Sequence, residues 1–173
     1  MLQALTSLFS TPRYQEEAHQ LYTDIVSRSR NSVLYSEYGV ADTLDGRFDM
    51  IILHMALLSE RLKRDENEET IEFLRVLTEA FFADMDRNLR EMGSTDTGVG
   101  KRVKKMSQAF FGRIFAYQEA LDQETMQAAL LRNVYRDDAS KAPHALKLAD
   151  YVHAQREALA TTSLDDLLQG KLN

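Results

Sequence analysis

The 173-residue chain has no cysteine and no tryptophan. Without cysteine there can be no disulfide, thiolate metal site, iron–sulfur cluster or cysteine nucleophile, and the composition agrees with a reducing compartment. Only two prolines occur, Pro12 and Pro143. Each stands where a helix can begin, since proline at the first helical position loses no useful N–H. Long apolar runs are missing as well. The longest, Met50 to Leu58, is interrupted by His54, whereas a bilayer span needs about twenty residues. Met1 to Ser10 offers no basic n-region and no adequate apolar h-region, so no secretory signal is expected. Positive charge is in deficit too, with 21 Lys and Arg against 27 Asp and Glu, a net charge of −6. That balance argues against a general nucleic-acid binder, which needs a basic surface to displace counterions.

What is present is enough for one domain. Hydrophobic residues make up 44%, and a chain of this length buries roughly 70% of the surface its unfolded form exposes. β-branched runs alternating with polar residues are absent, and the dominant period is helical. The expected fold is all-α, a single-domain bundle of six to seven helices. The first is placed from about Pro12 to Arg30, with Thr11 as its cap and Glu16 and Glu17 near its positive end. The second runs from after Asp42 to near Arg64. Phe48, Ile51, Ile52, Met55, Leu58 and Leu62 form one stripe on it, while Leu53 and Leu57 make another side apolar, which marks a central helix. The third, about Glu66 to Met92, repeats Ile71, Leu74, Leu77, Phe81, Met85, Leu89 and Met92.

Gly93 to Gly100 holds three of the seven glycines and is expected to be a loop. A fourth helix then runs from Lys101 to about Leu121, with Val103, Met106, Phe110, Ile114, Tyr117 and Leu121 on one face. Asp122 can cap a fifth helix through Arg136, and Pro143 can open a sixth to about Ala160. Ser163 with Asp166 resembles a capping box for a last short turn.

Several constellations invite chemistry. Gly98-Val-Gly100-Lys101 suggests a phosphate loop, but that motif needs Gly where Thr95 stands, Ser or Thr where Arg102 stands, and a preceding strand. Lys101, Arg102, Lys104 and Lys105 fall in the first turns of the expected fourth helix, where cations oppose the macrodipole. Rules are often broken in this way at functional sites. Glu16 with His19, and Asp150 with His153, have the carboxylate-x-x-His spacing used in di-iron bundles, though such sites also need a Glu from each of two further helices. His54, on an apolar helix, reads as a hydrogen-bonded core histidine. Asp86 with Arg90 and Arg87 with Glu91 read as i,i+4 surface pairs. No nucleophile elbow, HExxH or other catalytic set is present, and no enzymatic activity is expected.

Four blocks carry a family resemblance. Ala41-Asp-Thr-Leu-Asp-Gly-Arg-Phe-Asp49, Phe82-Ala-Asp-Met-Asp-Arg-Asn-Leu-Arg-Glu91, Gly98-Val-Gly-Lys-Arg-Val-Lys-Lys-Met106 and Phe110-Phe-Gly-Arg113 resemble the ubiquinol–cytochrome c chaperone family, in matching order over roughly residues 35 to 156. The resemblance implies an assembly factor for the cytochrome bc complex that binds newly made cytochrome b, with no cofactor and no catalysis. Mitochondrial relatives carry N-terminal targeting and membrane-attachment sequence and act with a small partner subunit. The chain is therefore expected to be a bacterial member, and nothing in it shows whether such a subunit exists. On this reading the partner-facing residues are Asp45, Arg47, Asp49, Asp84, Asp86, Arg87, Arg90, Gly98, Gly100, Lys101, Arg102, Lys104, Lys105 and Arg113. An apolar groove is expected from Met50, Met55, Met85, Met92, Met106 and Phe110, because flexible methionines adapt to varied client helices.

The basic cluster would meet anionic lipid headgroups or acidic client loops, in a protein that is cytoplasmic and peripheral to the inner membrane. Met1 to Thr11 is expected to stand apart from the core, with Leu2, Leu5, Leu8 and Phe9 as an amphipathic foot. Two readings from other classes stay open at this level, a di-iron-type metalloenzyme and a general membrane-surface adaptor.

Overall fold

The computed structural model describes residues 13–91 and 96–172. The N-terminal foot, Thr11, Pro12 and Met92 lie outside them. Among the described residues there is no strand, and six helices of eleven residues or more carry the fold. They are α1 (Gln15–Ser29), α3 (Leu44–Lys63), α4 (Glu68–Glu91), α5 (Asp96–Glu119), α6 (Gln123–Asn133) and α7 (Ala142–Thr161), with one-turn helices α2 (Ser32–Ser36) and α8 (Leu164–Leu168).

Local chemistry explains most boundaries. The Thr43 side chain accepts from Gly46 N at 3.1 Å and starts α3. Asn67 accepts from the backbone of Glu69 and Thr70 at 2.8 and 3.0 Å and starts α4. Asp122 and Thr125 close a reciprocal capping box on α6, Pro143 sits in the first turn of α7, and Ser163 caps α8. The capping side chains satisfy N–H groups that a helix start leaves without intrahelical partners, and Pro143 has no N–H to satisfy. Helix α1 begins at Gln15, later than Pro12, behind Tyr14 in the left-handed region at φ 70°. Helix α6 stops at Asn133, short of Arg136, because Arg136 and Asp137 both adopt left-handed backbone, with φ of 58° and 61°.

Helix α3 is the axis of the molecule. It packs against α1, α4, α5 and α7, and from Met50 to Ser59 every residue is buried. The other long helices are amphipathic around it. On α4 the buried face is Phe73, Val76, Leu77, Phe81, Met85 and Leu89. Ile71 and, beyond α5, Leu121 are exposed instead of facing the core. Phe110 stacks on Phe81 with ring centroids 4.6 Å apart and locks α5 to α4.

The expected loop before the fourth helix is largely absorbed into it. Asp96 through Gly100 are already helical, so the basic cluster begins beyond the first turn. Macrodipole effects fade within that turn, and the conflict inferred from the sequence does not arise.

Candidate functional site

Helices α1, α3, α4 and α5 diverge on one side to leave an open groove of about 810 Å³. Its apolar lining comes from Val26 of α1, Phe48 and Ile51 of α3, Met85 and Leu89 of α4, and Met106 and Ala109 of α5. Charges of both signs line it as well, with Arg30, Arg47, Arg102, Lys105, Arg113 and Arg136 as the cations and Asp45, Asp49, Asp84 and Glu91 as the anions. Side chains from distant stretches of chain thus meet on one surface because α3 runs through the centre and the other helices splay from it.

The most buried charge in this lining is Asp49, with no solvent exposure. Arg136 donates from Nη2 to Asp49 Oδ2 at 2.8 Å, and Arg113 Nη2 stands 3.1 Å from Oδ1 as an ion pair. That oxygen and Arg113 Nε have no hydrogen-bond partner among the described residues. Burial raises the Asp49 carboxyl to about 6, against the pull of the two arginines. The carboxylate is still ionised at neutral pH, which keeps the pairs charged. The Arg113 guanidinium also lies 5.9 Å from the Phe48 ring centre, so cation, carboxylate and aromatic face form one unit at the groove floor. Arg136 reaches this unit from left-handed backbone, a conformation costing a non-glycine residue about 1 kcal/mol or more. On the opposite wall Asp84 accepts from the Tyr22 hydroxyl at 2.9 Å and pairs with Arg87.

Of the partner-facing residues read from the sequence, Asp45, Arg47, Asp49, Asp84, Arg102, Lys105 and Arg113 line this groove, and Met85 and Met106 form part of its apolar lining. The others go elsewhere. Met50 and Met55 are buried in the core, on the sides of α3 that the other helices cover. Phe110 is likewise a core residue. Asp86 and Arg90 form the anticipated i,i+4 pair at 2.7 Å on the outside of α4. Arg87 pairs with Asp84 and not with Glu91, which is left to line the groove. Gly98, Gly100, Lys101 and Lys104 belong to α5 but not to the groove lining. Sequence reasoning missed Arg30, Asn88 and Arg136. For Arg136 no local signal existed, since the left-handed turn that delivers it contains no glycine.

The carboxylate-x-x-His pairs stay apart. Glu16 and His19 are exposed on α1, while Asp150, on α7 with His153, accepts from Gln123 at 2.6 Å. Among the described residues no group of three or more His, Asp or Glu is arranged to hold a metal. His54 is a core histidine. Its Nδ1 lies 2.8 Å from the Met50 carbonyl and so carries the proton, and Nε2 accepts from the Tyr151 hydroxyl at 2.7 Å. Burial lowers it to about 4, against the hydrogen bond to Met50. Among the described residues no helix is long and apolar enough to cross a membrane.

The described residues form an all-helical body with an amphipathic groove lined by charge. The chain belongs to the ubiquinol–cytochrome c chaperone family, whose model matches residues 36–173. The match runs on past residue 156 to the last residue, further than the four blocks reach. The crystal structure of the Cbp3 homolog from Brucella abortus superposes with a TM-score of 0.81 at 36% identity, covering 98% of this chain and 94% of that one. Ubiquinol-cytochrome-c reductase complex assembly factor 1 of Xenopus laevis is 26% identical over 153 residues, 87% of this chain and 76% of that protein. Its mouse namesake is 24% identical over the same length, which is 52% of that protein.

Proposed function

We propose that the chain assists assembly of ubiquinol–cytochrome c reductase by holding newly made cytochrome b in the groove between α1, α3, α4 and α5. The observation that carries this reading is the lining itself, an apolar strip with Met85 and Met106 among charges of both signs. A membrane protein caught before assembly presents apolar helix faces next to charged loops, and such a strip among such charges matches both. A helical turn is a cylinder about 5.4 Å tall and 10–12 Å across, roughly 500 Å³. A groove of about 810 Å³ therefore takes one or two turns of a client, an anchor segment and not a whole span. The names of the frog and mouse relatives point to the same complex.

The work is done on the cytoplasmic side of the inner membrane, against its anionic lipid, with no cofactor and no chemical step. Capture from native membranes tests the client. A tagged chain solubilised in mild detergent should bring down cytochrome b, and Met106→Glu together with Leu89→Glu should lower the yield about tenfold or more, since charge placed in an apolar contact is poorly tolerated. Undiminished capture by a folded double variant would remove the groove from the account.

A further inference from the structure

Helix α5 faces three ways. Successive residues advance by about 100° around a helix, and burial along α5 follows that rotation. Phe110 and Tyr117 turn into the core. Arg102, Lys105, Met106, Ala109 and Arg113 turn into the groove. On the side opposite the groove stand Phe111 and Phe115, with 57% and 66% of their surface exposed. Lys104 falls between them in azimuth and Lys101 lies beside it, both exposed. The four basic residues that look like one cluster in the sequence are thus divided, two to the groove and two to an outer ridge. Neither Lys101 nor Lys104 has an ion pair among the described residues, and a Cβ added at Gly100 or Gly112 would meet nothing within 4 Å.

We propose that this outer ridge of α5, formed by Lys101, Lys104, Phe111 and Phe115, seats the chain on an anionic lipid bilayer. The inference deepens the membrane contact in the reading above by naming the residues that make it. Phenylalanines one turn apart, each with more than half its surface exposed, leave most of their apolar area uncovered by the fold. Phe111 packs edge-on against Phe110, ring centres 5.2 Å apart, and lies 6.2 Å from Phe82, and Phe115 is the more exposed of the two. The occupant must be apolar at the phenylalanines and anionic at the lysines. An interface of acyl chains beneath phosphate headgroups has both properties in layers. The shape argues the same way. The feature is a ridge on one helix, whereas a stable protein partner buries about 800 Å² of each surface. A chain of net charge −6 is repelled by anionic lipid unless a local cationic face leads, and this ridge supplies one. Glu119, the acid of α5 on a similar azimuth, stands one turn past Phe115 and about 27 Å from Lys101 along the axis, so the lysine end of the ridge is the cationic one. Because the groove opens on the opposite side of α5, a chain seated in this way keeps its groove clear of the lipid.

Flotation of the full chain with phosphatidylcholine vesicles, with and without phosphatidylglycerol, tests the seat. The parent should float only with phosphatidylglycerol present. Phe111→Ser with Phe115→Ser, and separately Lys101→Gln with Lys104→Gln, should each lower the bound fraction by about tenfold or more, the glutamine pair at an unchanged melting temperature. If the serine pair does not fold, the glutamine pair decides. A smaller loss, binding to phosphatidylcholine alone, or no binding by the parent would overturn the proposal. So would variants that float normally but no longer bring down a protein partner, because the ridge would then be a protein contact. Cytochrome b capture is measured in detergent without vesicles, so the groove and the ridge can fail independently.

Discussion

Asp49 and His54 lie on the same buried helix and answer to protons in opposite senses. Burial raises Asp49 to about 6, above the unfolded carboxyl value of about 3.9. Its stabilising contribution is full below the unfolded value and is lost as pH rises through 6. Burial lowers His54 to about 4, below the unfolded imidazole value of about 6.5. Its contribution is full above that value and is lost as pH falls through 4. Between pH 4 and 6 the two slopes oppose each other, so these residues together make the parent's stability nearly flat there. Removing one unmasks the other. The stability difference between the parent and His54→Gln should grow from pH 4 to 7 by about 2–3 kcal/mol, because each tenfold change in proton affinity on folding is worth about 1.4 kcal/mol. The difference between the parent and Asp49→Asn should shrink by a similar amount over the same range. Urea unfolding at several pH values reads both, and parallel curves would mean that neither group is displaced by burial.

At the scale of elements, the glycines of α3 and α5 separate tight packing from open surface. Gly46 occupies the first turns of α3, where an added Cβ would sit 1.9 Å from the Ala41 carbonyl oxygen. Gly100 and Gly112 lie in α5 with open space around the missing side chain. Glycine inside a helix costs roughly 0.5–1 kcal/mol relative to alanine. Gly100→Ala and Gly112→Ala should each therefore raise the urea midpoint by an amount equivalent to about that figure. Gly46→Ala should lower it, because backbone must move. A fall for Gly112→Ala would indicate that the outer ridge is covered. The first family-like block also gains a physical account. Thr43 caps the helix, Arg47 pairs with Asp42 at 2.8 Å, Gly46 allows the close turn, and Asp49 anchors the groove floor.

For the molecule as a whole, the helical period made the bundle legible, and cap chemistry at Asp122, Pro143 and Ser163 put starts close to where they fall. Burial on α3 was legible because residues apolar on every side have only one place to go. The groove was half legible. Charges in the family-like blocks pointed to Asp49, Asp84 and Arg113, but composition could not tell which methionines face it, since Met50 and Met85 look alike until the covering helices are placed. Arg136 and the division of the basic cluster were not legible. One depends on a left-handed turn without glycine, the other on which sides of α5 the neighbouring helices cover, which the spacing alone does not give. Arg156 shows the same limit. It donates to the carbonyls of Tyr117 and Ala120, both at 2.9 Å, and so ties α7 to the end of α5 through contacts that no local pattern announces.

The central claim is that cytochrome b enters the groove, and site-specific photocrosslinking in living cells tests it most directly. A photoreactive phenylalanine analogue at position 89 or 106, on the two walls of the groove, should yield an adduct with cytochrome b during assembly. The same group at position 157, on the exposed side of α7, should yield none. Adducts from position 157 matching those from the groove, or no adduct from the groove in cells that assemble the complex normally, would contradict it.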